Sequence, residues 1–150
     1  MSQQFVNPDN TRSEEQRAVY DQIIKDGVCP FCQENFLKYH TKPILKEGAY
    51  WIFTKSAWPY KGTKQHFLIV LKRHAERIED LTPEEGAELI TMSGELITER
   101  EVAGGALAMR FGKNKNLKNS VAHIHAQLIE PNVDEPNHQG VKLPISKKVE

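Results

Sequence analysis

The sequence predicts an α+β fold: a mainly antiparallel sheet of about five strands, one long helix and an N-terminal helix. Three observations lead there. Apolar stretches of strand character, such as Gln65 to Leu71, do not alternate regularly with helical ones, so two strands can join without a crossover helix. The segment from Asp80 to Arg100 carries a strong helix start and a helical apolar stripe. The chain has 150 residues, 39% of them apolar, which suffices for one core and leaves little room for a second.

Residues 1–12 are polar and are expected to be flexible, with the folded domain spanning 13–131. Ser13 opens the first helix, and Gln16 is placed to complete a capping box. Val19, Tyr20, Ile23 and Ile24 form its apolar stripe, and Gly27 stops it. Glu34 to His40 reads as a short strand or turn, Tyr50 to Thr54 as a strand, and Trp58 to Gly62 as a loop. Gln65 to Leu71 is a buried strand rich in bulky and β-branched residues. Thr82 caps the long helix, Pro83 takes its first position and Glu85 closes a capping box. Leu89, Met92 and Leu96 share one face of that helix. Gly104-Gly105 breaks it, and Ala106 to Phe111 and Ser120 to Ile129 read as strands. Residues 132–150, with Pro136, Gly140 and Pro144, form a polar tail.

Lysine plus arginine equals aspartate plus glutamate at 20 each, so no net field draws the chain to nucleic acid or membrane. Affinity for an anion must be local. The N-terminus has no signal-like apolar core, and no apolar run approaches the length of a membrane span, so a cytoplasmic location is expected.

The most informative segment runs from Val121 to Leu128. In a strand, His123, His125 and Gln127 line one face while Ala122, Ile124, Ala126 and Leu128 line the other. An apolar back with two histidines and a glutamine in front has the composition of a site; the plainer alternative is a half-exposed strand with incidental histidines. Cys29 and Cys32 have the spacing by which one turn of chain offers two thiolates to zinc. A thioredoxin-like redox pair competes, but that motif follows a strand, whereas a helix and Gly27 precede this one. Six histidines are present, so spacing alone does not choose the remaining ligands. Trp51, Phe53 and Trp58 are candidates for a base pocket or for plain core. Lys113, Lys115 and Lys118 give local positive charge or an ordinary solvated loop. His40, His66 and His138 read as structural or exposed, although His66, in the predicted strand beside Gln65, has the alternative of facing the site.

The segment Asn119 to Gln127 resembles the active-site strand of the histidine-triad (HIT) superfamily, whose motif alternates histidines with apolar residues after a short polar element. Gln127 stands where a third histidine is usual. That His-x-His-x-Gln form resembles the branch containing galactose-1-phosphate uridylyltransferase and dinucleoside-polyphosphate phosphorylases. The order of a Cys-x-x-Cys pair, a strand followed by Lys72-Arg73-His74, and the motif strand is similar too.

The resemblance implies a HIT-like fold and a nucleotidyltransferase or phosphorylase acting on dinucleoside polyphosphates or nucleotide sugars. His125 would be the nucleophile, carrying the nucleotide as a nucleotidyl-histidine, and Gln127 would hold that intermediate. Asn114, Asn119 and Ser120 would bind the nucleotide phosphate. Cys29, Cys32, His74 and His123 would hold a structural zinc. A homodimer and a nucleotide or nucleotide-sugar substrate are expected. The alternatives are a HIT-type nucleotide hydrolase and a non-catalytic, zinc-stabilised nucleotide- or partner-binding module.

Overall fold

The computed structural model describes residues 4–113 and 116–149. Its elements are α1 (Glu14–Asp26), α2 (Phe36–Tyr39), β1 (Ile44–Glu47), β2 (Trp51–Lys55), β3 (Thr63–Leu71), α3 (Pro83–Glu99), β4 (Ala106–Met109) and β5 (His125–Pro131). The strands form one sheet in the order β1-β2-β3-β5-β4, every neighbouring pair antiparallel. The fold is therefore the expected α+β architecture with an antiparallel five-stranded sheet.

Side-chain alternation divides the sheet into two faces. Trp51, Phe53, Phe67, Ile69, Leu71, Ala126 and Leu128 pack with Leu89, Met92 and Leu96 of α3 into the main core. The opposite face carries Ile52 and Val70, covered by Phe36 of α2. His125 and Gln127 alternate with Ala126 and Leu128, so they share that second face, and the register sets them beside Val70 and Leu68. The site face and the core face are thus two sides of one sheet.

α3 follows its sequence signals closely. Thr82 Oγ1 accepts from the Glu85 N–H at 3.1 Å, and Glu85 Oε1 accepts from the Thr82 N–H at 2.8 Å. Glu88 then accepts three backbone N–H groups, from Ala49, Tyr50 and Trp51, tying the β1–β2 turn to the helix. A Cβ at Gly48 would lie 2.5 Å from Met92 Sδ and 2.6 Å from the Glu88 carboxylate, so a side chain there would displace both. Gly105 is demanded by contact, because its Cβ would fall 1.8 Å from the Ile129 carbonyl oxygen.

Glu85 also makes two 2.8 Å hydrogen bonds with Arg73, and these hold its carboxyl down at about 2 despite burial. A carboxyl depressed in the folded state contributes stability above its unfolded value, near 4.5, that is lost as pH falls towards 2. Glu85→Gln is expected to cost about 1–3 kcal/mol at pH 7. It should also flatten the acid limb of a stability-versus-pH curve measured by urea unfolding.

Several local expectations change. Glu34 to His40 is neither strand nor turn alone: it contains α2, a helix of one turn, too short for periodicity to reveal. β1 was not anticipated, because its four residues lack strong alternation. The segment read as a strand from Ser120 enters the sheet only at His125. Before that, its backbone bonds elsewhere: Ala122 N–H donates to Phe5 O at 2.6 Å and Ile124 N–H to Ala75 O at 2.7 Å.

Residues 4–12, expected to be flexible from their polarity, are fixed. Val6 bridges Val121, and Asn7 N–H donates to Ser120 O. Asn10 is buried and donates to the carbonyls of Leu117 and Asn119. The tail also returns, Leu117 bridging Ser146. Among the described residues, no helix is long and apolar enough to cross a membrane.

Candidate active site and metal centre

The site is built where β5 begins. His125 is buried, and its Nδ1 lies 2.7 Å from the carbonyl oxygen of His123. A carbonyl only accepts, so Nδ1 carries the proton and Nε2 keeps its lone pair. Burial lowers the His125 pKa to about 4, so the ring is neutral near pH 7. The ring of Phe31 stands edge-on to it at 5.0 Å.

Gln127 is held by a chain of bonds whose polarity is fully determined. The Tyr60 N–H donates to His66 Nδ1 at 3.0 Å, so the His66 proton sits on Nε2. His66 Nε2 donates to Gln127 Oε1, which turns the amide nitrogen towards Tyr60, where it donates to the hydroxyl at 3.1 Å. Arg110 Nη2 donates to the same hydroxyl at 2.8 Å. The Tyr60 oxygen thus accepts twice, and its own proton remains available to a ligand. Burial lowers the His66 pKa to about 4, which agrees with the neutral tautomer.

These groups open onto a cavity whose lining divides by chemistry. Val19, Ile23, Phe31, Tyr39 and Leu68 are its apolar lining, and Arg12, Tyr60, Arg110, Lys118, Ser120 and Gln127 are polar or cationic lining residues. No carboxylate lines it among the described residues. Tyr20 donates to Ser120 Oγ at 3.0 Å, leaving the serine proton free to turn towards a ligand. Gln16 accepts from the backbone N–H of Arg12 at 2.8 Å, not from Ser13 as the predicted capping box required. That bond holds the Arg12 backbone, and the guanidinium donates to the Trp58 carbonyl at the cavity rim.

Behind the strand start lies a metal-ligand cluster. Cys29, Cys32, His74 and His123 place one donor atom each within 4.8 Å of all the others. Cys29 Sγ lies 3.4 Å and Cys32 Sγ 3.7 Å from His123 Nδ1; Cys32 Sγ is 3.5 Å from His74 Nδ1, and the two Nδ1 atoms are 3.2 Å apart. A tetrahedral ion with bonds of about 2.3 Å to sulfur and about 2.05 Å to nitrogen sets such pairs about 3.3–3.6 Å apart. The donor set fits. His123 Nε2 donates to the Leu71 carbonyl at 2.6 Å, which aims a lone pair on Nδ1 into the cluster, and Glu76 lies 3.6 Å from His74 Nε2. These four residues are positioned to bind a metal.

The predicted residues separate accordingly. His125, Gln127 and Ser120 meet in the cavity. His123 precedes the strand and turns to the cluster with Cys29, Cys32 and His74. Asn119 does not line the cavity; its Oδ1 is buried without a hydrogen-bond partner among the described residues. Asn114, like Lys115, falls outside the described residues. Trp51 and Phe53 are core, whereas Trp58 lines the cavity. Lys113 lines a different hollow, with Met109 and Phe111. Tyr60, Arg12 and Arg110 were not anticipated, because no motif marks them. Pro144 of the tail also reaches the rim, accepting from Arg110 at 2.7 and 2.9 Å.

The family model of the HIT domain matches residues 60–132. No curated protein matches the chain. Among solved structures, a histidine triad nucleotide-binding protein from Candida albicans superposes with a TM-score of 0.59 at 18% identity, covering 81% of this chain and 87% of its own. A histidine triad protein from Clostridium difficile gives a TM-score of 0.55 at 18% identity, covering 74% and 96%. A Zn-bound histidine triad family protein from Mycobacterium smegmatis gives 0.55 at 19% identity, covering 80% and 84%. At these identities the likeness establishes the shared fold.

Proposed function

We propose, from a chain whose residues 60–132 match the HIT domain and whose fold is HIT-like, that this protein is a nucleotide enzyme working through a nucleotidyl-histidine at His125. The observation that carries this reading is the fixed tautomer: Nδ1 is spent on the His123 carbonyl, and Nε2 is free beside a cavity lined with donors and cations.

The Nε2 lone pair attacks the α-phosphorus of a bound nucleotide. As the P–N bond forms, the bond from phosphorus to the bridging oxygen breaks, and its electron pair leaves on that oxygen. An oxygen of water or inorganic phosphate then attacks the same phosphorus. The P–N bond breaks, its electron pair returns to Nε2, and any proton from water passes to solvent. Gln127 and Ser120 supply hydrogen-bond donors to the phosphoryl oxygens as charge develops on them. Attack by phosphate makes the protein a phosphorylase or transferase, attack by water a hydrolase. Gln127 favours the first, on its similarity to the His-x-His-x-Gln branch.

The metal is read as structural zinc. Cys29, Cys32, His74 and His123 give a closed four-ligand set, which clamps the cysteine turn to the start of the catalytic strand. A homodimer is read at the open edge of β4, where Leu107 and Phe111 are exposed.

Intact mass after brief exposure to a dinucleoside tetraphosphate tests the reaction. A gain of one nucleoside monophosphate, mapped to His125 and discharged faster with inorganic phosphate than without it, is the expected result. Absence of any adduct or turnover across adenine, guanine and uracil substrates would overturn the enzyme reading and favour a binding module.

A further inference from the structure

We propose that Arg12, Arg110 and the Tyr60 hydroxyl form a subsite for a phosphoryl group on the leaving side of the substrate. The preferred substrate then carries an anionic, phosphoryl-bearing leaving group and not an amine or a neutral sugar. This rests on the nucleotide reading above and names the substrate class that the same cavity takes.

Contacts within the cavity orient the substrate: Val19, Phe31 and Tyr39 pack against one apolar cluster, whereas Arg12, Arg110 and Gln127 all meet at Tyr60. Phe31 belongs to the apolar part and touches the His125 ring, while Gln127 of the polar part is two residues along the same strand face. His125 therefore sits where the two parts meet. A nucleobase fills the apolar part, the α-phosphorus lies at Nε2, and whatever leaves occupies the polar part. There the Arg12 guanidinium stands 4.5 Å from the Tyr60 ring centroid and donates to the Trp58 carbonyl. Arg110, the residue after β4, reaches the Tyr60 hydroxyl.

Neither arginine has a carboxylate within 4.0 Å among the described residues, although Arg17, Arg73 and Arg77 all do. Two cations on one tyrosine, in a cavity without an acid, need an anionic ligand to offset their repulsion. Both are also held in place. Arg110 makes two bonds to Pro144 O, and the Arg12 guanidinium donates to the Trp58 carbonyl over the Tyr60 ring, so little ordering accompanies binding. The Tyr60 proton, unused because its oxygen accepts twice, adds a neutral donor between them.

Proton supply points the same way. An amine or alkoxide leaving group must be protonated as it departs, whereas a phosphate oxygen leaves as a stable anion. Gln127 has no acidic proton to give, and the His66 Nε2 proton is committed to Gln127. The Tyr60 hydroxyl, the donor that remains on this side, stands between two guanidinium groups, so the site is matched to a leaving group that needs charge stabilisation more than a proton.

The test uses the full chain carrying His125→Asn, which cannot consume ligand. Adenosine and uridine mono-, di- and triphosphates are titrated calorimetrically at fixed salt without magnesium. Affinity is expected to rise at least tenfold from mono- to triphosphate. Adding Arg12→Gln or Arg110→Gln should reduce that rise to less than threefold while changing monophosphate affinity less than threefold. Arg12 is exposed, so its variant remains informative if Arg110→Gln fails to fold. A rise that persists in Arg12→Gln, or an equal loss for all three phosphate lengths, overturns the proposal. So does turnover of a nucleoside 5′-phosphoramidate by the unmodified protein as fast as that of a dinucleoside tetraphosphate. If the phosphate-length series behaves as expected but no adduct forms on the unmodified protein, the catalytic reading alone fails. If neither nucleotide series binds, both fail.

Discussion

Replacing His125 with alanine is expected to lower kcat on a dinucleoside polyphosphate by about 10³-fold or more and to abolish the covalent adduct. The side chain faces the cavity, so its loss removes the nucleophile together with one buried hydrogen bond, to the His123 carbonyl, and the edge contact with Phe31. Circular dichroism and metal content should stay as in the unmodified protein. The contrast with His66→Asn is informative. His66 reaches the reaction only through Gln127 and Tyr60, so its variant should retain adduct formation at a reduced rate. Steady-state kinetics and intact mass on both variants separate a nucleophile from a positioning residue. Equal, mild losses in the two would remove His125 from its proposed role.

The second large effect concerns the metal. One zinc per chain is expected by elemental analysis, and Cys29→Ser should lose it while His138→Ala keeps it, since His138 lies outside the four-donor cluster. A site held at about 1,000 times its Kd contributes about 4 kcal/mol, which for a domain of this size is about 10 °C in Tm. Chelation should therefore lower Tm by about that amount. Activity should fall as well, because His123 is both a cluster residue and the owner of the carbonyl that fixes His125 Nδ1. Stoichiometric zinc retained in Cys29→Ser, or an unchanged Tm after chelation, would contradict the structural-metal reading.

The local features of this protein were legible in its sequence because their causes are local. Thr82, Pro83 and Glu85 cap α3 through bonds spanning three residues, and Gly27 ends α1 in the left-handed conformation that its position suggests. His125 and Gln127 share a face because strand alternation is a property of the backbone. What tertiary structure decided lies across longer distances. Tyr60 meets Arg110 and Gln127 at sequence separations of 50 and 67, through sheet register and a loop path that no short pattern records. The polar N-terminal segment looked unable to order itself alone, and it is ordered by pairing with Val121 and Ser120. His123 shows the division most clearly. Alternation assigned it to the catalytic face, but backbone bonds to Phe5 and Ala75 hold its segment out of the sheet, and its ring turns to Cys29, Cys32 and His74.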